Sequence, residues 1–254
     1  MKHPLAPPAT TLSERCGELG IVVETPEAAH LVALLDRCFV EPQNLTSIRE
    51  LDAGIDRHLV DSLYGLRLPV IVRARRLADI GSGVGFPGIA LAVARPDLRV
   101  TLIESEHSKA DWLARATVDI PNVQVVHDRA EALARVRRAD WDVVTVRAVG
   151  GLATVLELAA PLLADGGSVV AWRGRRDGDG ERAGQLAAAT LGLTPGAVTR
   201  YRLHDGSVHH LHEFQRTGIV PARFPRRPGL ANKRPIGAPT PARPTDLKAT
   251  KTSP

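Results

Sequence analysis

Cysteine and aromatic side chains are both scarce in this chain of 254 residues: there are two Cys, four Phe, three Trp and two Tyr. Cys16 and Cys38 form no C-x-x-C pair, so neither a disulfide framework nor a zinc cage is expected, and both thiols are expected to be reduced and buried. An aromatic content of 4% argues against stacking of successive bases as the main mode of binding single-stranded nucleic acid. No run of about eighteen apolar residues occurs, and the stretch from Met1 to Leu12 carries Lys2 but no apolar secretory core. A soluble, cytoplasmic protein with neither membrane nor metal as a partner is therefore expected.

The charge that is present is unevenly distributed. Residues 222–254 hold eight basic side chains (Arg223, Arg226, Arg227, Lys233, Arg234, Arg243, Lys248 and Lys251) against the single acid Asp246, although the whole chain carries only +5. A near-neutral body with a basic, proline-rich tail suggests a polyanionic partner, nucleic acid first among them; a solvated tail that only aids solubility is the bland alternative.

The most informative stretch is Asp79 to Gly88, D-I-G-S-G-V-G-F-P-G, which stands where a strand should turn into a helix. Gly81, Gly83 and Gly85 lack the Cβ that would hold a backbone away from a ligand, and the helix that follows favours negative charge at its start. Asp79, just before the turn, suits the cationic methionine part of S-adenosylmethionine. Glu104, after the next strand, stands where a carboxylate can bridge two ribose hydroxyls, and would serve a dinucleotide equally well. An ordinary glycine turn whose Asp79 caps the next helix remains the structural alternative.

Organisation follows from periodicity. Thr25-Pro26 opens a helix through Leu31, Val32, Leu34, Leu35 and Phe39, and Ile55, Leu59, Leu63 and Leu66 mark a second helix with a polar side. Strands are expected at Leu77 to Ile80, Val100 to Ile103, Val123 to Val126, Trp141 to Val146 and Ser168 to Trp172, alternating with helices. This is the pattern of an α/β, Rossmann-like, mostly parallel sheet. Leu152 to Leu163 reads as a helix that ends on a glycine stop at Ala164-Asp-Gly-Gly167. Val198 to Leu203 and Val208 to Gln215 read as a closing antiparallel hairpin. The expected division is an N-terminal helical extension over 1–76, a core over 77–220 and an extended or disordered basic tail over 221–254.

Three ordered blocks carry a family resemblance: Asn44-Leu-Thr-Ser-Ile-Arg49 with Arg57-His58-Leu-Val-Asp61-Ser62; Asp79 to Ile89 with Pro96-Asp97; and Phe224-Pro-Arg-Arg-Pro-Gly-Leu-Ala-Asn-Lys-Arg-Pro-Ile236. They resemble the bacterial small-subunit ribosomal RNA methyltransferase G family, whose members methylate N7 of a guanine in 16S rRNA. The resemblance implies a class I methyltransferase fold with S-adenosylmethionine as cofactor, and 16S rRNA or the 30S subunit as partner of a monomeric enzyme. It puts Gly81 and Phe86 against the cofactor, Ala130 and Glu131 on its adenine side, Arg147 after the fourth strand, and Glu104 at the ribose. His209 stands where the family usually has an arginine.

Guanine N7 offers a lone pair with no proton to remove, so positioning is the chemistry required and no catalytic base is assigned. Arg57, His58, Asp61 and Arg147 are the candidate lining of the base pocket. Packing of His58 at a helix edge, and pairing of Arg147 with Asp140 or Asp142, are the structural alternatives. Arg173-Gly-Arg-Arg176 and the tail arginines are candidates for phosphates. Other readings are a diverged methyltransferase with another acceptor, a dinucleotide-dependent oxidoreductase, and an RNA-binding protein without activity.

Overall fold

A computed structural model of the protein describes residues 6–43 and 45–237. Asn44 of the first block and the basic residues Arg243, Lys248 and Lys251 of the tail lie outside the described residues. The strands are β1 (Arg76–Ile80), β2 (Arg99–Glu104), β3 (Val123–His127), β4 (Trp141–Arg147), β5 (Leu163–Arg173), β6 (Leu193–Arg202) and β7 (Val208–Arg216). They form one sheet in the order β3-β2-β1-β4-β5-β7-β6, parallel except for β7, which runs antiparallel to both neighbours.

Consecutive side chains point to opposite faces of a strand, and here both faces are apolar because helices cover both. Leu77, Val143 and Val170 join one core with the N-terminal helices and Gly88–Ala94. Ala78, Val144 and Val169 join the other with Ala130–Val136, Leu152–Ala159 and Gly178–Thr190. The chain reverses its direction of crossing between β1 and β4, which opens a crevice above their C-terminal ends. Cys16 and Cys38 are free and buried, and burial pushes their thiols up to about 12 and about 11.

Several local expectations need correction. A helix over Pro8–Glu18 precedes the first one read from the sequence, and its two leading prolines suit a helix start. Ala164-Asp-Gly-Gly167 is not a helix stop, because Leu152–Ala159 ends earlier and these residues bulge within β5: Trp141 pairs with Leu163, whereas Val143 pairs with Ser168. Apart from Arg57, the polar side of the second helix does not face water. Asp56, His58, Asp61 and Ser62 are all buried, and a π-helical stretch over Ile55–Val60 lies among them.

The beginning of the tail is packed against the core. Phe224 and Ala231 are buried, and Arg138 donates to the carbonyls of Phe224 (2.6 Å) and Val220 (3.0 Å). Arg226 grips Glu157 with both ends of its guanidinium, Nε to Oε1 at 2.6 Å, and the Glu157 side chain is 2% exposed. Arg226 is therefore an anchor, already occupied and not free for a phosphate. Arg226→Ala would strand a carboxylate in the core and is expected to cost about 3 kcal/mol in urea unfolding. The double variant Arg226→Met, Glu157→Leu is expected to recover much of that loss.

Candidate active site

The glycine turn is held open by its backbone and closed by its neighbours. Gly81, Gly83 and Gly85 all have positive φ (66°, 56° and 107°), and a Cβ on Gly85 would stand 2.2 Å from Ile89 Cδ1. The Asp79 carboxylate is fully buried: it accepts from Thr145 Oγ1 at 2.7 Å and from the Gly88 N–H at 3.2 Å. Burial pushes this group up to about 6, against the pull of those donors. Asp79 thus orders the turn and opens the next helix from beneath, and does not touch the open side of the cradle. Glu104 accepts from Gly83 N–H at 2.9 Å and from Glu106 N–H at 2.8 Å. Each of its oxygens keeps a second lone pair, as a carboxylate facing a ribose requires.

Beside the turn lies a cavity of about 130 Å³ lined by Gly81, Ser105, Asp128, Ala130, Val149 and, from the packed tail, Asn232. Ala130 is buried at its wall. The Glu131 carboxylate faces the tail, where its Oε1 accepts from the Gly229 N–H at 2.8 Å.

A second cavity of about 410 Å³ opens next to the first, lined by Arg57, His58, Asp61, Arg147, Ala148, Trp172, Arg173, Arg175 and His209 among others. Asp61 organises it from below. Its Oδ1 accepts from Tyr201 Oη at 2.5 Å and from His209 Nδ1 at 2.7 Å, and its Oδ2 accepts from Arg147 Nη1 at 3.1 Å. Burial alone would raise this carboxyl, but His209, Arg147 and Tyr201 together hold it below its ordinary value. Arg147 pairs with Asp61, whereas Asp140 and Asp142 are taken by Arg76. Trp172 Nε1 donates to the Asp61 carbonyl at 2.8 Å.

His58 stacks on Phe86 of the glycine turn, with ring centroids 5.6 Å apart. Its Nδ1 faces Arg147 Nη2 at 3.3 Å, and a guanidinium only donates, so Nδ1 accepts and Nε2 carries the proton toward Thr46 Oγ1 at 2.9 Å. Burial and the Arg147 charge push His58 down to about 4, partly offset by Asp61. Arg57 reaches out to Asp205 at 2.9 Å, Arg173 donates to the Gly150 carbonyl, and Arg176 pairs with Glu181. Arg175 is exposed and makes no polar contact among the described residues.

The residues selected from sequence thus divide, some lining the two cavities and Asp79, Gly83, Gly85, Phe86 and Glu104 lining neither. Gly81, Ala130 and Glu131 line the first and Arg57, His58, Asp61 and Arg147 the second, with Glu104 bonded to the turn between Gly81 and Gly85. Sequence reading missed Tyr201, Trp172 and Asn232. Tyr201 could have been found, since the hairpin register puts it opposite His209; Asn232 carried no such signal.

The two imidazoles at this site set opposite pH slopes on stability. Asp61 raises His209 above its ordinary 6.5, so that contribution is full below pH 6.5 and is lost as pH rises through the raised value. His58, lowered to about 4, withdraws stability as pH falls from 6.5 toward 4. His209→Gln is therefore expected to flatten the decline in urea midpoint above pH 6.5 and to leave the acid limb in place.

A sequence model of the family described as rRNA small subunit methyltransferase G matches residues 27–206. The chain is 36% identical over 223 residues to the ribosomal RNA small subunit methyltransferase G of Chloroflexus aggregans, covering 85% of this chain and 93% of that one. It is 39% identical over 197 residues to the protein of the same name from Roseiflexus castenholzii, covering 76% and 84%. Among solved structures, the Burkholderia thailandensis 1,6-didemethyltoxoflavin-N1-methyltransferase, with bound S-adenosylhomocysteine, aligns with a TM-score of 0.50 at 17% identity over 86% of this chain and 94% of that one. That likeness is one of fold, a class I S-adenosylmethionine-dependent methyltransferase. With 180 consecutive residues matched by the family model and relatives above 30% identity over most of its length, the chain belongs to the rRNA small subunit methyltransferase G family.

Proposed function

We propose that this enzyme transfers a methyl group from S-adenosylmethionine to N7 of a guanine in 16S rRNA, with the smaller cavity holding the adenine end of the cofactor and the larger one the guanine. The observation that carries the reading is the loop after β4. Ala148 adopts a left-handed φ of 58°, so that Arg147 and Ala148 line the larger cavity while Val149 lines the smaller one. Strained backbone of this kind persists where the surroundings over-determine it, and here it makes one loop the wall between two sites.

The residues fit the cofactor. Gly81 and Gly83 offer backbone without side chains, Glu104 offers two free lone pairs to a ribose, and Ala130 leaves room at the base. Glu131 lines the same cavity and fastens the tail, and Phe86 supports the turn by carrying His58; Asp79 and Gly85 shape the turn. When bound, S-adenosylmethionine supplies an electrophilic methyl on a sulfonium, which a guanine N7 lone pair accepts without first losing a proton. Neither nitrogen of His58 is free to act as a base, since Arg147 occupies one and Thr46 the other. The pocket's contribution is orientation: a guanidinium donating to guanine O6, next to N7, fixes which edge faces the cofactor side. N7 faces the deep, narrow groove of A-form RNA, so the acceptor belongs to a loop, bulge or distorted segment.

Labelled methyl transfer to 30S subunits and to deproteinised 16S rRNA, with the product nucleoside identified by mass spectrometry, is expected to yield 7-methylguanosine. Cofactor binding without methylation of either RNA would leave the fold and remove the ribosomal acceptor. Arg147→Lys keeps the charge on Asp61 but loses the fork, and is expected to slow methyl transfer about 100-fold. Arg175→Ala is expected to reduce the slope of log affinity for RNA against log salt by about one while sparing cofactor binding.

A further inference from the structure

Asn232 comes from the packed tail, outside the strand and helix core, and has no task in the fold. It is exposed on the rim of the smaller cavity, and among the described residues its carboxamide makes no polar contact. Its position is nevertheless determined. The Gly229 N–H is held by Glu131, the Ala231 carbonyl accepts from Thr154 Oγ1 at 3.1 Å, and Ala231 is buried. Asn232 Oδ1 stands 3.4 Å from where a Cβ on Gly150 would be, which puts the carboxamide beside the loop after β4.

A carboxamide presents an N–H donor beside a C=O acceptor, the complement of an adenine edge, where an exocyclic amino donor adjoins a ring-nitrogen acceptor. The carboxylate of Asp128 on the same cavity only accepts, and its Oδ1 is already engaged by the Arg129 N–H at 2.7 Å. We propose that Asn232 reads the base of the cofactor, donating to a ring nitrogen and accepting from the exocyclic amine. A segment outside the methyltransferase core then supplies a contact to the base of the cofactor. The inference rests on reading this cavity as the adenine pocket.

Calorimetric titration of the full chain with S-adenosylhomocysteine and with its purine analogue, which carries hydrogen in place of the exocyclic amine, tests it. The analogue keeps the ring-nitrogen acceptor but lacks the partner of the carboxamide oxygen, and turning the amide over cannot replace it. The wild type is expected to favour the adenosyl ligand by about tenfold, one well-made hydrogen bond. Asn232→Ala is expected to lose more for the adenosyl ligand than for the purine one, so that the preference collapses. The melting temperature without ligand should stay in place, because the side chain holds nothing in the fold. An unchanged preference in Asn232→Ala, or an equal loss for both ligands, would overturn the role of Asn232 and leave the adenine pocket standing. Failure of the wild type to bind either ligand would remove the pocket assignment itself, and the inference with it.

Discussion

A carboxylate taken out of water must be met by donors, and the way Asp61 is met ties the candidate site together. Tyr201 comes from β6, His209 from β7 and Arg147 from the end of β4, while the carboxylate itself stands on the irregular helix before the core. Trp172 of β5 adds a fourth strand through the Asp61 carbonyl. Each partner is costly to leave unpaired once buried, so the N-terminal helices, the parallel strands and the closing hairpin are held in one arrangement by a single acid. Arg147 is thereby fixed at the pocket wall, where its charge adds to burial in keeping His58 neutral, while Asp61 makes His209 a stronger base than usual.

The other end of the crevice is organised by a pair of acids. Glu157 and Glu131 lie on helices of the opposite face, and both are satisfied from the tail, by Arg226 and by the Gly229 N–H. Basic residues that look equivalent in sequence therefore divide by burial. Arg226 holds the chain down, Arg138 gathers the carbonyls around Phe224, and Arg227, Lys233 and Arg234 remain at or near the surface, where a polyanion can reach them. The segment that carries this positive charge also lines the smaller cavity, so the surface proposed for RNA and the cavity proposed for adenine share one piece of chain.

Much of the fold was legible because its periodicities are local. Alternating apolar strands and helical runs announce a doubly covered parallel sheet, and the expected strands fall within the observed ones except for Leu203, one residue past the end of β6, with β5 and β6 beginning earlier than read. The beginning of β5 escaped because a bulge with two glycines has the composition of a helix stop. The polar face of the second helix escaped for a different reason. Asp56, His58, Asp61 and Ser62 have the composition of a solvated face, and the acids among them are met from a distance, Asp56 by Arg15 and the Asp205 N–H, 41 and 149 residues away, and Asp61 by Arg147 and Tyr201, 86 and 140 away.

What the sequence determined by itself was the class of fold, the place of the glycine turn, and the family blocks that name the chemistry, because each is written in residues near one another along the chain. What only the tertiary structure decided was the use of the charged side chains. Asp79 turned inward beneath the turn, Arg147 turned to Asp61 and away from Asp140 and Asp142, Arg226 became an anchor, and Asn232 was left with a free carboxamide. The physical reason is that an ion or an amide takes its role from the donors, acceptors and water that surround it, and those are assembled by packing between segments that are remote in sequence.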